Sequence, residues 1–157
     1  MKPTFAPLNL LMLTVPESSF RVAENPADSM RMELDVTPTF SEIEEDDEHD
    51  EYALAMSLSV HASLVNTEDE DDVRAEARVR VESVVSVPRQ IGDPGRGLDY
   101  LKLNGTSISY GHARSYLMPL ASMSPMSSFV LPAIVPSAML GISDMGEEDP
   151  QKAYVQV

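Results

Sequence analysis

The clearest pattern along the chain lies at 52–64. Tyr52, Leu54, Met56, Leu58, Val60, Ala62 and Leu64 alternate with Ala53, Ala55, Ser57, Ser59, His61 and Ser63. Residues two apart share a face only in extended backbone, so this spacing predicts a strand and not a helix. The second face is small and weakly polar, which predicts a central strand whose outer face is partly covered. Segment 73–87 alternates as well, with Val73, Ala75, Ala77, Val79 and Val81 opposed to Arg74, Glu76, Arg78, Arg80 and Glu82. That is an antiparallel strand with one wet face. Its phase slips near Ser83, where Val84, Val85 and Val87 follow, so a bulge is expected there. Pro88 ends it.

Two earlier strands follow the same logic. Met30, Met32, Leu34 and Val36 oppose Arg31, Glu33 and Asp35, with Pro38 interrupting before Phe40 and Ile43. A proline sits best in an edge strand. Within 8–24, Leu8, Leu10, Met12, Phe20 and Val22 carry a first strand, bent or bulged at Pro16 and Glu17. Asn25, Pro26, Ala27 and Asp28 read as the turn between these two strands. Four consecutive strands with short links predict an up-and-down antiparallel meander. Its connections at 44–51 and 66–72 then lie at opposite ends of the sheet.

The character changes after Pro88. Gly92, Asp93, Pro94, Gly95 and Gly97 read as a loop. The spacing of Ile108, His112, Ser115 and Tyr116, and of Ala113, Tyr116, Leu117 and Leu120, predicts a helix from about Thr106 to Ala121. Ser107 or Asn104 is its expected cap, and Pro119 weakens its last turn. From 122 to 137 the chain is rich in Ser, Met and Pro. Prolines at 125, 132 and 136 exclude a long helix and predict an extended apolar loop. Pro136 then opens a short helix from Ser137 to about Leu140. The fold class expected is α+β: a four-stranded antiparallel meander sheet followed by two helices. One domain is expected over 1–141, with a polar acidic tail over 142–157 that is expected to be mobile.

Composition narrows what such a domain does. The 157 residues fit one domain that buries roughly two thirds of its unfolded surface. A formal charge of -15 repels phosphate backbones and sets nucleic-acid binding aside. The chain has no cysteine, which excludes disulfides and thiolate metal sites and fits a reducing, cytoplasmic setting. Lys2 and the apolar run Leu8 to Val15 have the outline of a signal peptide. The run is short, contains Asn9 and Thr14, and lacks a small-x-small cleavage site, so secretion is not expected. No run is long enough to span a membrane.

Chemistry is sparse. His49 lies in an acidic turn, His61 on the small face of a strand and His112 on the helix. No Gly-x-Ser-x-Gly elbow is present. Gly92, Gly95 and Gly97 are interrupted by proline and do not form a dinucleotide fingerprint. No enzyme and no cofactor are expected. The acidic turns lack the spacing and internal glycine of an EF-hand loop, so no metal is assigned. Glu44, Glu45, Asp46 and Asp47 in the first turn, and Glu68, Asp69, Glu70 and Asp71 in the second, read either as a solvated run or as docking points for basic partners. Self-repulsion is expected to keep both runs loose and extended. Ten methionines and no tryptophan suit a surface that adapts to many chains. Tyr116, Met118, Met123, Met126, Phe129, Leu131, Ile134, Met139 and Leu140 are the candidates for such a surface, with plain core as the competing reading of each.

The order of elements and one segment resemble the SecB-like export chaperones. The segment is Tyr110, Ala113 and Arg114 in the first helix, then Phe129-Val-Leu-Pro132 and Pro136, then Ala138-Met-Leu140. The likeness covers about 5 to 141. It departs from the family where Val135 and Pro136 stand in place of an Asn-Phe pair. It departs again in the arginines of the fourth strand, where the family's sheet surface is expected to dock a translocation motor through acidic groups. The resemblance implies an ATP-independent chaperone that is a homo-tetramer (a dimer of dimers) or a dimer, with strands paired across subunits. It implies apolar grooves that hold unfolded or preprotein clients, and a translocation motor or an antitoxin as a further partner. The alternative is a non-catalytic adaptor or structural subunit that binds one partner through a sheet edge.

Overall fold

The computed structural model describes residues 7–142. Its strands are β1 (Asn9–Val22), β2 (Met30–Phe40), β3 (Glu44–Asp46), β4 (Glu51–Asn66) and β5 (Val73–Pro88). A 3-10 turn at Arg89–Ile91 leads to α1 (Pro94–Ser122), and α2 (Pro136–Leu140) ends the described chain. One antiparallel sheet is thus followed by a long helix and a short one.

The sheet order is β1-β5-β4-β2, with β3 paired to the start of β4. This corrects the meander expected from the sequence. β2, β4 and β5 follow one another as hairpins, but β1 lies beside β5 in a Greek-key arrangement. Proline explains the order. A meander would place β2 and its Pro38 inside the sheet, where the missing N–H breaks a ladder. The observed order puts Pro16 of β1 and Pro38 of β2 on the two edges. Residues 23–29 cross the sheet end, where Ala23 N donates to Arg74 O (2.8 Å) and Thr67 N to Ser29 O (3.1 Å). Seven extended residues reach roughly 23 Å, ample for three strand spacings of about 4.8 Å. Large side chains of β1 face small ones of β5: Phe20 opposes Ala77 and Val22 opposes Ala75.

The core face of β4 is the one the alternation predicts, with Tyr52, Leu54, Met56, Leu58, Val60, Ala62 and Leu64 all buried. β4 is central, but no element of the described chain covers its outer face, where Ala55 and Ser59 are exposed. The bulge expected near Ser83 is absent. The β4–β5 register runs through Ser83 without a shift. Ser83 lies on the core face with Val81 and Val85, and its hydroxyl pairs with that of Ser109 on α1 at 2.9 Å. The shifts lie elsewhere: in β1, between Leu10 and Met12 and between Thr14 and Glu17, the second at Pro16 as its sequence implies, and at the start of β5, where Leu64 pairs with Ala75 but Val65 with Val73.

Helix α1 starts twelve positions earlier than its apolar spacing suggests. Asp93 is the cap, its side chain accepting from Arg96 N (2.8 Å), and Pro94 takes the first helical position. Asn104 and Ser107 lie inside the helix. Its buried stripe is Gly97, Leu101, Gly105, Ser109, Ala113, Leu117 and Ala121. These are mostly small, so the helix axis lies close to the sheet. A Cβ at Gly97 would stand 2.5 Å from Tyr52 Cδ2. The connection at 44–51 is also more ordered than expected, since Glu44–Asp46 pairs with Glu51–Ala53 as a short hairpin. It and the 66–72 turn lie at opposite ends of β4.

Candidate protein-binding surfaces

The loop between the helices is fastened to α1. Tyr110 Oη donates to the carbonyl of Pro132 (2.7 Å), and Ser124 Oγ to that of Ala121 (2.8 Å). The loop then alternates. Phe129 and Leu131 are buried, and the Phe129 ring meets Phe20 of β1 edge-on at 5.5 Å. Met126 is buried with them. These three candidates are core, a correction to their reading as client surface: each fills the space between α1 and the sheet, as buried aromatic and thioether groups do. Ile134 packs against the same core, and Met139 and Leu140 are half-buried.

Other candidates stay in the open. Met118 is 55% exposed and Met123 78%. Tyr116 is partly exposed, its hydroxyl paired with that of Ser18 at 2.8 Å, which ties α1 to β1. Val130 (53% exposed) and Val135 (64% exposed) belong with this surface, though their spacing did not single them out. The signal was present: in an extended segment, Val130 must point opposite to Phe129 and Leu131. Met118, Val130 and Arg114 line one small cleft with Leu117, Phe129 and Leu131. A second exposed patch, Leu10, Leu11 and Met12, lies on β1, whose outer edge has no strand partner among the described residues.

The acidic turns are ordered by their own bonds rather than loosened by repulsion. Asp46 accepts from the backbone of Glu48 and His49 and from His49 Nδ1 (2.8 Å). The His49 hydrogen bond holds the Asp46 carboxyl below its usual range. Arg89 reaches Asp47 (2.7 Å) and Glu45 (3.5 Å) while lying over the Tyr52 ring. Asp47, chiefly, raises the Arg89 pKa. In the second turn, Asn66 and Asp69 accept from the backbone of Glu68 and Asp71, and Glu70 pairs with Arg31 (2.9 Å). Glu44, Glu68, Asp69 and Asp71 have no ion-pair partner among the described residues. No three acidic or histidine side chains converge there as a metal site requires.

The open face of the sheet carries a charge lattice centred on Glu76. Its carboxylate takes Arg21 (2.6 Å), Arg78 (2.9 Å) and His61 (2.9 Å). Hydrogen bonds from Arg78, then Arg21 and His61, hold its pKa down to about 2. Arg80 bridges Glu17 (3.0 Å) and Glu82 (2.7 Å). Of the arginines that set this sheet apart from an acidic docking surface, Arg78 and Arg80 are thus committed to carboxylates of the same sheet, and Arg74 to Asp72 of the adjoining turn (2.6 Å). Among the described residues, no helix is long and apolar enough to cross a membrane.

No protein-family model matches the sequence, and no curated protein matches it. Among solved structures, the chain is similar to the SecB-like chaperone Rv1957 of Mycobacterium tuberculosis, solved in complex with a ChAD peptide from the HigA1 antitoxin Rv1956. The two share 14% sequence identity and superpose with a TM-score of 0.60, over 81% of this chain and 90% of the other. The likeness extends to the whole sheet-then-helix order, so this chain has the SecB-like fold.

Proposed function

We propose that this chain is an ATP-independent chaperone that holds non-native protein segments on the exposed apolar surface of its helix–loop layer. The observation that carries this reading is the fastened loop: core residues anchor it while Met118, Met123, Val130 and Val135 stay exposed beside it. Flexible thioethers fit varied side chains without demanding one shape. The SecB-like neighbour was solved with an antitoxin peptide, which favours an antitoxin or another polypeptide segment over a small molecule. The same reading makes the protein a non-enzyme that works in the cytoplasm as a dimer or tetramer. It makes residues 1–141 the working domain, with 142–157 as an appended tail. Glu44, Glu68, Asp69 and Asp71 are the acidic groups left for a basic partner segment.

The test is a light-scattering assay with a chemically denatured client and no nucleotide. The protein delays aggregation. Replacing Met118, Met123 and Val130 together by serine abolishes the delay while leaving the melting temperature nearly unchanged. A chain that stays monomeric and does not delay aggregation is not a chaperone of this kind. The second reading, an adaptor, is favoured by the open β1 edge with Leu10, Leu11 and Met12. It predicts tight binding to one folded protein and indifference to denatured chains.

A further inference from the structure

Residues 127–134 run beside α1 without a hydrogen-bonded ladder. Among the described residues their backbone makes no bond to the sheet, and the Phe129 N–H turns back onto Met126 O (2.8 Å). Two side chains of the segment, Phe129 and Leu131, sink into the core. One hydrogen bond joins the segment to α1, from Tyr110 Oη to Pro132 O (2.7 Å). Its donor is rigid. The Tyr110 ring is 3% exposed and packed in the main core cluster, so only its hydroxyl reaches the loop. Burial raises its pKa, which keeps the proton in place to be donated. Its acceptor is stiff as well. Pro132 holds the preceding Leu131 extended, and Pro136 does the same to Val135. Val130 lies two residues before the bonded carbonyl and Val135 three after it, and both are exposed.

We propose that Tyr110 is the positioning residue of the client-holding surface: its hydroxyl latches Pro132, so that Val130 and Val135 stand beside α1 before any client arrives. This rests on the chaperone reading above and adds that the surface is preformed. The physical reason is entropic. A loose segment must be ordered by the client that binds it, and each ordered residue costs binding free energy. The latch orders the segment in advance, with Val130 held where it lines one small cleft with Met118 of α1. Removing one neutral hydrogen bond shifts the ratio of latched to loose segment by about fivefold. Client affinity then falls with the fraction that stays in place.

Ala133 is exposed and the chain has no cysteine, so Ala133→Cys in the full chain carries one nitroxide on the segment. The probe client is ribonuclease A, reduced and alkylated so that it stays unfolded. With Tyr110 intact, the nitroxide line is broad without client and unchanged by it. Tyr110→Phe adds a narrow component. Chains without the nitroxide are titrated against fluorophore-labelled client by anisotropy, where Tyr110→Phe binds about twofold to fivefold more weakly. Ser83→Ala is the control for stability alone. It also removes a buried hydroxyl bond, to Ser109 (2.9 Å), and leaves client affinity unchanged. Equal affinity in Tyr110→Phe, or an equal loss in Ser83→Ala, overturns the proposal and leaves the chaperone reading standing. So does a line that is narrow with Tyr110 intact and broadens only when client is added. That last measurement needs no Tyr110 variant, so it decides the matter if Tyr110→Phe fails to fold. A parent chain that binds no client removes the chaperone reading, and this proposal with it.

Discussion

Phe129 and Val130 are sequence neighbours with opposite fates, one in the core and one at the surface. Extended backbone makes that division, and it separates the residues that anchor the loop from those free to bind. Glu76 shows the same economy on the opposite face of the sheet. Its side chain is largely covered, and three donors satisfy it, which keeps the carboxylate charged far into acid. Its folded pKa of about 2 lies below the usual carboxylate value. The stability it supplies is therefore fully present above about pH 4.5 and is lost as pH falls through about 2. Arg21 and Arg78 are mostly exposed, so solvent screening reduces the contribution to about 1 kcal/mol. Glu76→Gln should lower stability by that amount at pH 6. Urea melts at pH 6, 4 and 2.5 should show the gap between the two proteins narrowing with acid. A gap constant across that range would mean that the carboxylate charge is not what matters there.

At the scale of elements, α1 turns on its glycines. Gly97 faces the Tyr52 ring, which is held by a hydrogen bond to Gly92 O (3.2 Å) and by the overlying Arg89. Gly97→Ala gains about 1 kcal/mol of helix propensity but overpacks the ring by about 1–3 kcal/mol. Gly111 faces open space, so Gly111→Ala keeps the gain alone. Thermal melts should move in opposite directions, down for Gly97→Ala and up for Gly111→Ala; two upward shifts would mean that α1 does not lie so close to β4. The same glycines explain what the sequence concealed. β4 and β5 were legible because their apolar residues recur at a regular period, and the loop and the short α2 were legible from their prolines. The first three turns of α1 were not, because their buried stripe is Gly97, Leu101 and Gly105, and small residues that permit close approach look like loop composition. Ser83 failed for a similar reason: a hydroxyl satisfied by Ser109 imitates a break in phase. Of the candidate surface, period two in 129–131 would have separated Phe129 and Leu131 from Val130, whereas the burial of Met126 depends on how the chain turns after α1.

The whole molecule has two sheet edges, and they are guarded unequally. β2 ends the sheet with Pro38 in its ladder and with Arg31, Glu33 and Asp35 along its outward face, all features that discourage strand addition. β1 ends it with Leu10, Leu11 and Met12 exposed around a bulge, and with a regular ladder from Glu17 to Val22. If copies of the chain join, β1 is the edge that gains most from being covered. Charge opposes that step, because each copy brings a net -15. Screening shortens the reach of this repulsion from about 30 Å at 0.01 M salt to about 10 Å at 0.1 M. Added salt should therefore strengthen assembly, the reverse of its effect on a contact made by opposite charges. Leu11→Lys places a cation on the exposed edge and should lower the mass measured by light scattering without lowering the melting temperature of the separated chain. The comparison with Asp35→Lys on β2 decides which edge is used. A mass that falls with Asp35→Lys and ignores Leu11→Lys would move the interface to the proline-bearing edge and remove β1 from any account of assembly.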